Sequence, residues 1–272
     1  QRVLVVDLDP QGNATMGSGV DKRSLTLSIY DVLLESASIA EARVGSPRGG
    51  YDVLGANREL AGAEVELVSL ERRERRLKTA LESVAADYDF VLIDCPPSLS
   101  LLTLNGLCSA HGVVVPMQCE YFALEGLSDL VNSIRQVHAN LNRELQIIGL
   151  LRVMFDPRIT LQQQVSEQLK AHFGNKVFDT VIPRNVRLAE APSYGLPGVV
   201  YDRSSKGAQA YLAFGVPADK IRVLYPGFEV PAARGSRAGR EVTFLFLGRE
   251  PRRKGGDLVL DAFRELRASR PQ

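Results

Sequence analysis

The sequence predicts a doubly wound α/β domain, a parallel sheet covered by helices on both faces. Two observations carry that expectation. Short runs that are apolar at every position recur along the chain: Val3-Leu4-Val5-Val6, Phe90-Val91-Leu92-Ile93, Val113-Val114-Val115 and Ile147-Ile148-Gly149-Leu150-Leu151. A strand without polar alternation is buried on both faces, the condition of a parallel sheet under helices. Helical candidates lie between these runs, at 70–85, 123–138 and 160–172, and strand–helix alternation is the pattern of such a fold.

The first run ends in Asp7-Leu8-Asp9-Pro10, the second in Asp94-Cys95-Pro96-Pro97 and the third at Pro116. Tyr51-Asp52-Val53-Leu54 adds a further strand. Within 70–85, Glu71-Arg72-Arg73-Glu74-Arg75-Arg76 mixes charges, with Glu71 and Arg75 spaced to pair on a solvated helix face, a reading that outweighs nucleic-acid binding. In the helix at 160–172, Leu161, Val165 and Leu169 recur every four residues. After Phe214 the texture changes. Val223-Leu224-Tyr225-Pro226-Gly227 reads as a short strand and turn, and Ala232 to Gly239 as a basic loop. Val242-Thr243-Phe244-Leu245-Phe246-Leu247-Gly248 reads as a buried strand, and Gly255-Gly256 opens a helix with Leu258, Leu260, Phe263 and Leu266 on its apolar face. One β–loop–α unit is too little to bury a core alone.

Composition narrows the class. With 272 residues, 45% hydrophobic and 24% charged, the chain is neither a disordered tail, a collagen nor a coiled-coil rod. No apolar run reaches the roughly 18 residues of a membrane helix, so no membrane association is expected. Cys95, Cys108 and Cys119 form no C-x-x-C pair, which points to a reducing cytoplasm rather than a disulfide or zinc framework. The 33 basic and 32 acidic residues are unevenly shared: residues 216–272 hold 12 basic and 7 acidic, a net of +5, leaving 21 and 25, a net of −4, before them. Two segments with different surfaces are implied.

Ligands of open α/β sheets bind beyond the carboxyl ends of the strands. Asp7, Asp9 and Asp94 stand at such ends, where carboxylates hold Mg²⁺ directly or through water and orient a nucleophilic water. A single strand-end aspartate is as well explained by capping the next loop. D-x-D-P-Q-G-N and an apolar run closed by D-C-P-P-S, in one chain, favour a nucleotide site.

Val5-Val6-Asp7-Leu8-Asp9-Pro10-Gln11-Gly12-Asn13-Ala14-Thr15 resembles the Walker A′ segment of ParA/Soj-type partition ATPases, and Asp94-Cys95-Pro96-Pro97-Ser98-Leu99 their Walker B segment. The likeness continues through Cys119-Glu120-Tyr121-Phe122-Ala123-Leu124-Glu125-Gly126-Leu127 and through 181–193, and covers residue 1 to about 213; His111 stands where these proteins often have Asp. The resemblance implies a deviant-Walker, P-loop NTPase-like fold with ATP and Mg²⁺ as cofactors. Asp9 would orient the attacking water, Asp7 and Asp94 would hold Mg²⁺, and Pro183, Arg184 and Asn185 would frame the adenine. It further implies an ATP-bound homodimer that holds DNA without sequence preference, in the cytoplasm on the nucleoid, until a ParB-like partner stimulates hydrolysis. Arg187 and Lys206 match positions that touch DNA phosphates, contacts of the sequence-independent kind.

The family's phosphate loop, K-G-G-x-G-K-[ST], is absent from the 272 residues. Beginning at Gln1-Arg2 and entering a strand at once, the chain reads as the interior of something longer, short of a strand–loop–helix unit of roughly 30–40 residues. That strand lies inside such sheets, so the sheet is expected to carry a gap with unpaired backbone groups. Tight ATP binding and hydrolysis are not expected of the chain as it stands.

The segment from Phe214 to Gly227, with Phe244 to Arg249 and Arg253 to Asp257, resembles GT-B glycosyltransferases of the group 1 (family 4) type, between their domains and at the first βα unit of the donor domain. Arg249 and Lys254 would then grip a sugar-nucleotide diphosphate, although a basic surface turn explains them equally well. The acceptor domain and the downstream carboxylate motif are missing, so sugar transfer is not expected. The division implied is 1–213, a partition-ATPase-like domain, and 214–272, a glycosyltransferase-like fragment with a partial Rossmann-like βα unit. A natural fusion or a recombined reading frame would produce such a join near 212–216. Sugar transfer from a nucleotide donor, or a non-catalytic interaction module, are the alternative functions.

Overall fold

The computed structural model describes residues 2–214, except Pro97 and Phe122, and the backbone of 242–247. The first half carries β1 (Val3–Asp7), α1 (Asn13–Gly17), α2 (Ile29–Leu33), α3 (Ile39–Ala42), β2 (Arg43–Gly45), β3 (Asp52–Leu54), α4 (Leu60–Glu66) and α5 (Arg76–Glu82). Then follow β4 (Phe90–Cys95), α6 (Leu101–Ser109), β5 (Gly112–Met117), α7 (Ala123–Asn140), β6 (Gln146–Phe155), α8 (Thr160–Phe173) and β7 (Val177–Pro183). The last are α9 (Val186–Glu190), α10 (Gly198–Tyr201), α11 (Lys206–Phe214) and β8 (Val242–Leu247).

The four apolar runs are β1, β4, β5 and β6, and 51–54 contains β3. They join one eight-stranded sheet in the order β2-β3-β1-β4-β8-β5-β6-β7. Neighbours are parallel except the short edge strand β2, which runs antiparallel to β3. Because side chains alternate across a strand, each all-apolar run feeds two cores. Leu4, Val6, Val91, Ile93, Val113 and Val115 pack on one face under α2 and α4 to α8. Val3, Val5, Leu92, Val114 and Leu151 pack on the other with Ala208, Tyr211 and Phe214 of α11. The doubly wound, P-loop NTPase-like architecture is therefore the one expected.

Two expectations change. The interior gap is filled: β8, drawn from beyond residue 214, lies parallel between β4 and β5, with Phe244 in register with both Leu92 and Gly112. The strand read at 242–248 thus belongs, over 242–247, to the main sheet; Gly248 and the flanking readings at 223–227, 232–239 and 255–266 lie outside the described residues.

The proposed helix at 70–85 is also broken. Arg72 takes a left-handed φ of 50°, which a right-handed helix does not admit, and the helix begins only at Arg76. The buried Asn105 fixes the break: its amide donates to Arg73 O (2.8 Å) and its carbonyl accepts from Leu77 N (3.1 Å). The mixed charges at 71–76 are largely solvated as expected, but not as one helix face.

Candidate nucleotide site at the carboxyl edge of the sheet

β1 and β4 run in register to their last residues, so Asp7 stands beside Asp94 on neighbouring strands. Beyond Asp7 the chain stays tied to β4 through Leu8 N–H donating to Asp94 O at 2.8 Å. Asp9, also buried, caps the turn that follows: its side chain accepts from Gln11 N (2.9 Å) and its carbonyl from Gly12 N (2.8 Å). Gly12 then takes φ +59°, and a Cβ there would fall 2.5 Å from Ala56 O, so only glycine fits. The three aspartates therefore meet at the carboxyl edge, as their strand-end positions imply.

Thr15, for which the sequence offered no role, organises the cluster. Its N–H and Oγ1–H donate to Asp7 Oδ2 at 2.8 and 2.7 Å, and its Oγ1 accepts from Ala56 N at 2.9 Å. Asp7 Oδ1 accepts from Asp9 N at 3.1 Å. One fully buried hydroxyl thus joins the ends of β1 and β3 to α1. The available signal was its place in the Asp7–Thr15 block, one turn into the helix that follows Gly12.

Burial pushes the Asp7 carboxyl up to about 6, against the lowering effect of the Thr15 and Asp9 hydrogen bonds and with a small addition from the Asp9 charge. A cation at this edge would relieve that cost. Among the described residues no group of three or more His, Cys, Asp or Glu side chains could hold a metal by itself. Two carboxylates in register, one with both oxygens already accepting protein hydrogen bonds, do fit Mg²⁺, which keeps several waters and takes further ligands from phosphate oxygens. Next to them, the Cys95 thiol is raised well above its ordinary range, first by burial and then by Asp94, Asp7 and Asp9.

Pro183, Arg184 and Asn185 leave the carboxyl end of β7, four strand positions from β4, roughly 19 Å at ordinary strand spacing. Arg184 N donates to Phe155 O at 3.3 Å, and the Asn185 carbonyl caps α9 by accepting from Leu188 N at 3.2 Å. These three residues therefore sit at the same edge of the sheet as the aspartates but apart from them.

Arg187 lies on α9 and Lys206 opens α11. The two helices are close: a Cβ on Gly207 would come within 2.4 Å of the Leu188 side chain and 2.9 Å of Asn185. Lys206 is exposed. Arg187 is ion-paired, at 2.9 Å to Glu190 and 3.5 Å to Asp202. Arg249 and Lys254 lie outside the described residues.

A parallel sheet wound on both faces, with paired aspartates at the carboxyl ends of neighbouring central strands, defines a P-loop NTPase-like protein. Known proteins agree. A family profile described as AAA domain matches residues 1–147. Sporulation initiation inhibitor protein Soj of Bacillus subtilis is 51% identical over 212 residues, covering 78% of this chain and 84% of Soj. Chromosome partitioning protein ParA of Caulobacter vibrioides is 48% identical over 214 residues, covering 78% of this chain and 80% of ParA. A crystal structure of cobyrinic acid a,c-diamide synthase from Mycobacterium smegmatis, with bound ATP analogue and magnesium, is 41% identical with a TM-score of 0.65, over 68% of this chain and 76% of that one. The chain belongs to the ParA/Soj family of partition ATPases.

Proposed function

We propose that this chain carries the nucleotide-responsive, DNA-holding domain of a chromosome or plasmid partition system. The observation that supports this most is the registered Asp7–Asp94 pair with Asp9 in the adjoining turn, in a chain whose family includes chromosome partitioning proteins. In this reading Asp94 and Asp7 bind the hydrated Mg²⁺ of Mg-ATP, and Asp9 orients the water that attacks the γ-phosphate. Mg²⁺ supplies charge neutralisation of the phosphates. Thr15 holds the Asp7 carboxylate in place, and Pro183, Arg184 and Asn185 frame the adenine, with the Asn185 carbonyl capping α9. ATP-bound homodimers grip DNA without sequence preference through Arg187 and Lys206, and a ParB-like partner ends that state by stimulating hydrolysis.

The phosphate loop supplies the N–H cradle, the lysine and the hydroxyl ligand that this chemistry needs, and no G-K-[ST] sequence occurs among the 272 residues. The 272-residue chain by itself is therefore inactive. Steady-state ATP turnover tests this: background rates are expected for wild type and Asp9→Ala alike. Turnover above background that disappears in Asp9→Ala would overturn the claim of inactivity while supporting the role of Asp9.

A further inference from the structure

β7 runs beside β6 with an uneven register: Leu150 pairs with Val177, Arg152 with Val181 and Phe155 with Pro183. From the first pair to the second, β6 advances two residues while β7 advances four, so the ladder skips through Phe178, Asp179 and Thr180. From the second pair to the third, β6 advances three and β7 two. The extra residue on β6 coincides with Met154, whose φ of 55° is left-handed. Two opposed bulges thus set where β7 ends, and one regular pair, Arg152 with Val181, lies between them.

The side chain of Arg152 accounts for the shape of the first bulge. Nη2 donates to Phe178 O at 2.8 Å and to Asp179 O at 3.0 Å, and Nη1 donates to Ser166 Oγ of α8 at 2.8 Å. Arg152 is 4% exposed and Ser166 6%. The guanidinium has therefore left water for one hydroxyl and two carbonyls, and among the described residues its Nε finds no acceptor. Burying a charge on neutral acceptors is costly. What this one secures is the pair of carbonyls in the stretch that the ladder skips, groups that a buried strand must otherwise leave unpaired. Gly149 admits the bulge: a Cβ there would fall 2.6 Å from the Phe178 ring and 2.8 Å from Lys176 O.

We propose that Arg152 is a positioning residue for the turn Pro183-Arg184-Asn185: by clamping the first bulge it fixes how far β7 has advanced when the chain leaves the sheet. The inference rests on the reading of those three residues as the adenine frame. Between the Val181 pair and the turn lies only Ile182. Arg184 N–H then donates to Phe155 O at 3.3 Å, and Asn185 caps α9 through Leu188 N at 3.2 Å. A slip of one residue would carry the turn about 3.3 Å along the strand and reverse the side to which each residue points. That is more than a hydrogen-bonding site tolerates.

Amide hydrogen exchange in the full chain compares wild type with Arg152→Met, which loses every donor, and Arg152→Lys, which keeps the charge but not the fork that spans Ser166 and the carbonyls. In Arg152→Met the Arg184 and Leu188 amides are expected to exchange roughly tenfold or more faster, with those of β1 and β4 unchanged. Arg152→Lys should show a smaller change at the same amides, and it carries the comparison if Arg152→Met does not fold. Unchanged exchange at Arg184 and Leu188, or an equal rise throughout the sheet, would overturn the proposal. Millimolar adenosine is the second probe, since it needs no phosphate loop. Saturation transfer from protein to its ring protons is expected with wild type and should be lost with Arg152→Met. Adenosine bound equally by both would refute the positioning role. No transfer from wild type would instead remove the adenine reading of 183–185, and the exchange comparison would still decide the clamp.

Discussion

Replacing Thr15 by Val tests how the aspartate cluster is held together. Valine keeps the shape, so no cavity opens, but removes the hydroxyl that donates to Asp7 Oδ2 at 2.7 Å and accepts from Ala56 N at 2.9 Å. A hydrogen bond to a charged group contributes about 1.5–3 kcal/mol, and a buried N–H left without a partner costs about 1–3 kcal/mol. With Thr15 wholly buried, the expected loss is about 3–5 kcal/mol, a large part of the roughly 5–15 kcal/mol that holds a typical domain. Thr15→Ser keeps the hydroxyl and loses one buried methyl, about 1 kcal/mol. Urea unfolding followed by far-ultraviolet circular dichroism reads both, as midpoints compared at a common m-value. The order expected is wild type, then Thr15→Ser, then Thr15→Val well below. A Thr15→Val protein as stable as Thr15→Ser would refute the claim that this hydroxyl, rather than side-chain volume, joins β1, β3 and α1.

Three further outcomes follow from the same geometry. Gly12→Ala forces a Cβ to 2.5 Å from Ala56 O at φ +59°, and the left-handed backbone alone costs about 1–2 kcal/mol, so thermal unfolding should fall clearly below wild type; an unchanged midpoint would contradict the turn. Asp7 titrates at about 6 in the fold against 3.8 ordinarily, so its ionisation penalty is absent below pH ~3.8, grows between the two values and is complete above ~6. Wild type should therefore gain on Asp7→Asn by up to about 3 kcal/mol between pH 7 and pH 4, and a difference flat in pH would refute the burial argument. Burial, the largest cause in each case, raises the Cys108 and Cys119 thiols to about 11 and Cys95 well above the ordinary range; thiol reagents at pH 8 should label none of the three in the native protein and all three after denaturation.

Much of the fold is legible in the sequence because the central strands are apolar on both sides, which leaves them no alternative to a covered parallel sheet. β7 is less legible. At the sheet edge it mixes Val177 and Ile182, buried, with the exposed Asp179 and part-exposed Phe178, Thr180 and Val181, and neither a period of two nor an unbroken apolar run results. α6 escapes for the opposite reason. Thr103, Asn105 and Ser109 are buried together with Leu102 and Leu107, so no polar face marks a helical period. The apolar run at 242–247 signals burial without saying where, and its place between β4 and β5 depends on which strands lack a partner, a non-local fact. At the site, strand ends locate Asp7, Asp9 and Asp94. The Thr15–Ala56 bond and the Arg187–Asp202 pair join residues 41 and 15 positions apart, beyond any local pattern, whereas the Arg187–Glu190 pair, three residues apart on one helix, is local.

Retention on duplex DNA as a function of salt, with ATP and Mg²⁺, tests the partition reading most directly. The two proteins compared carry a K-G-G-x-G-K-T strand–loop–helix unit fused ahead of Gln1, one with the otherwise unaltered sequence and one with Arg187→Ala and Lys206→Ala. Each phosphate that is no longer neutralised reduces the slope of log affinity against log salt by about 0.9. Arg187 must exchange Glu190 and Asp202 for phosphate, and Lys206 meets phosphate without that exchange, so the double variant should bind more weakly on every sequence, with a slope shallower by about 2 units. Equal retention and equal slope in both proteins would contradict the account.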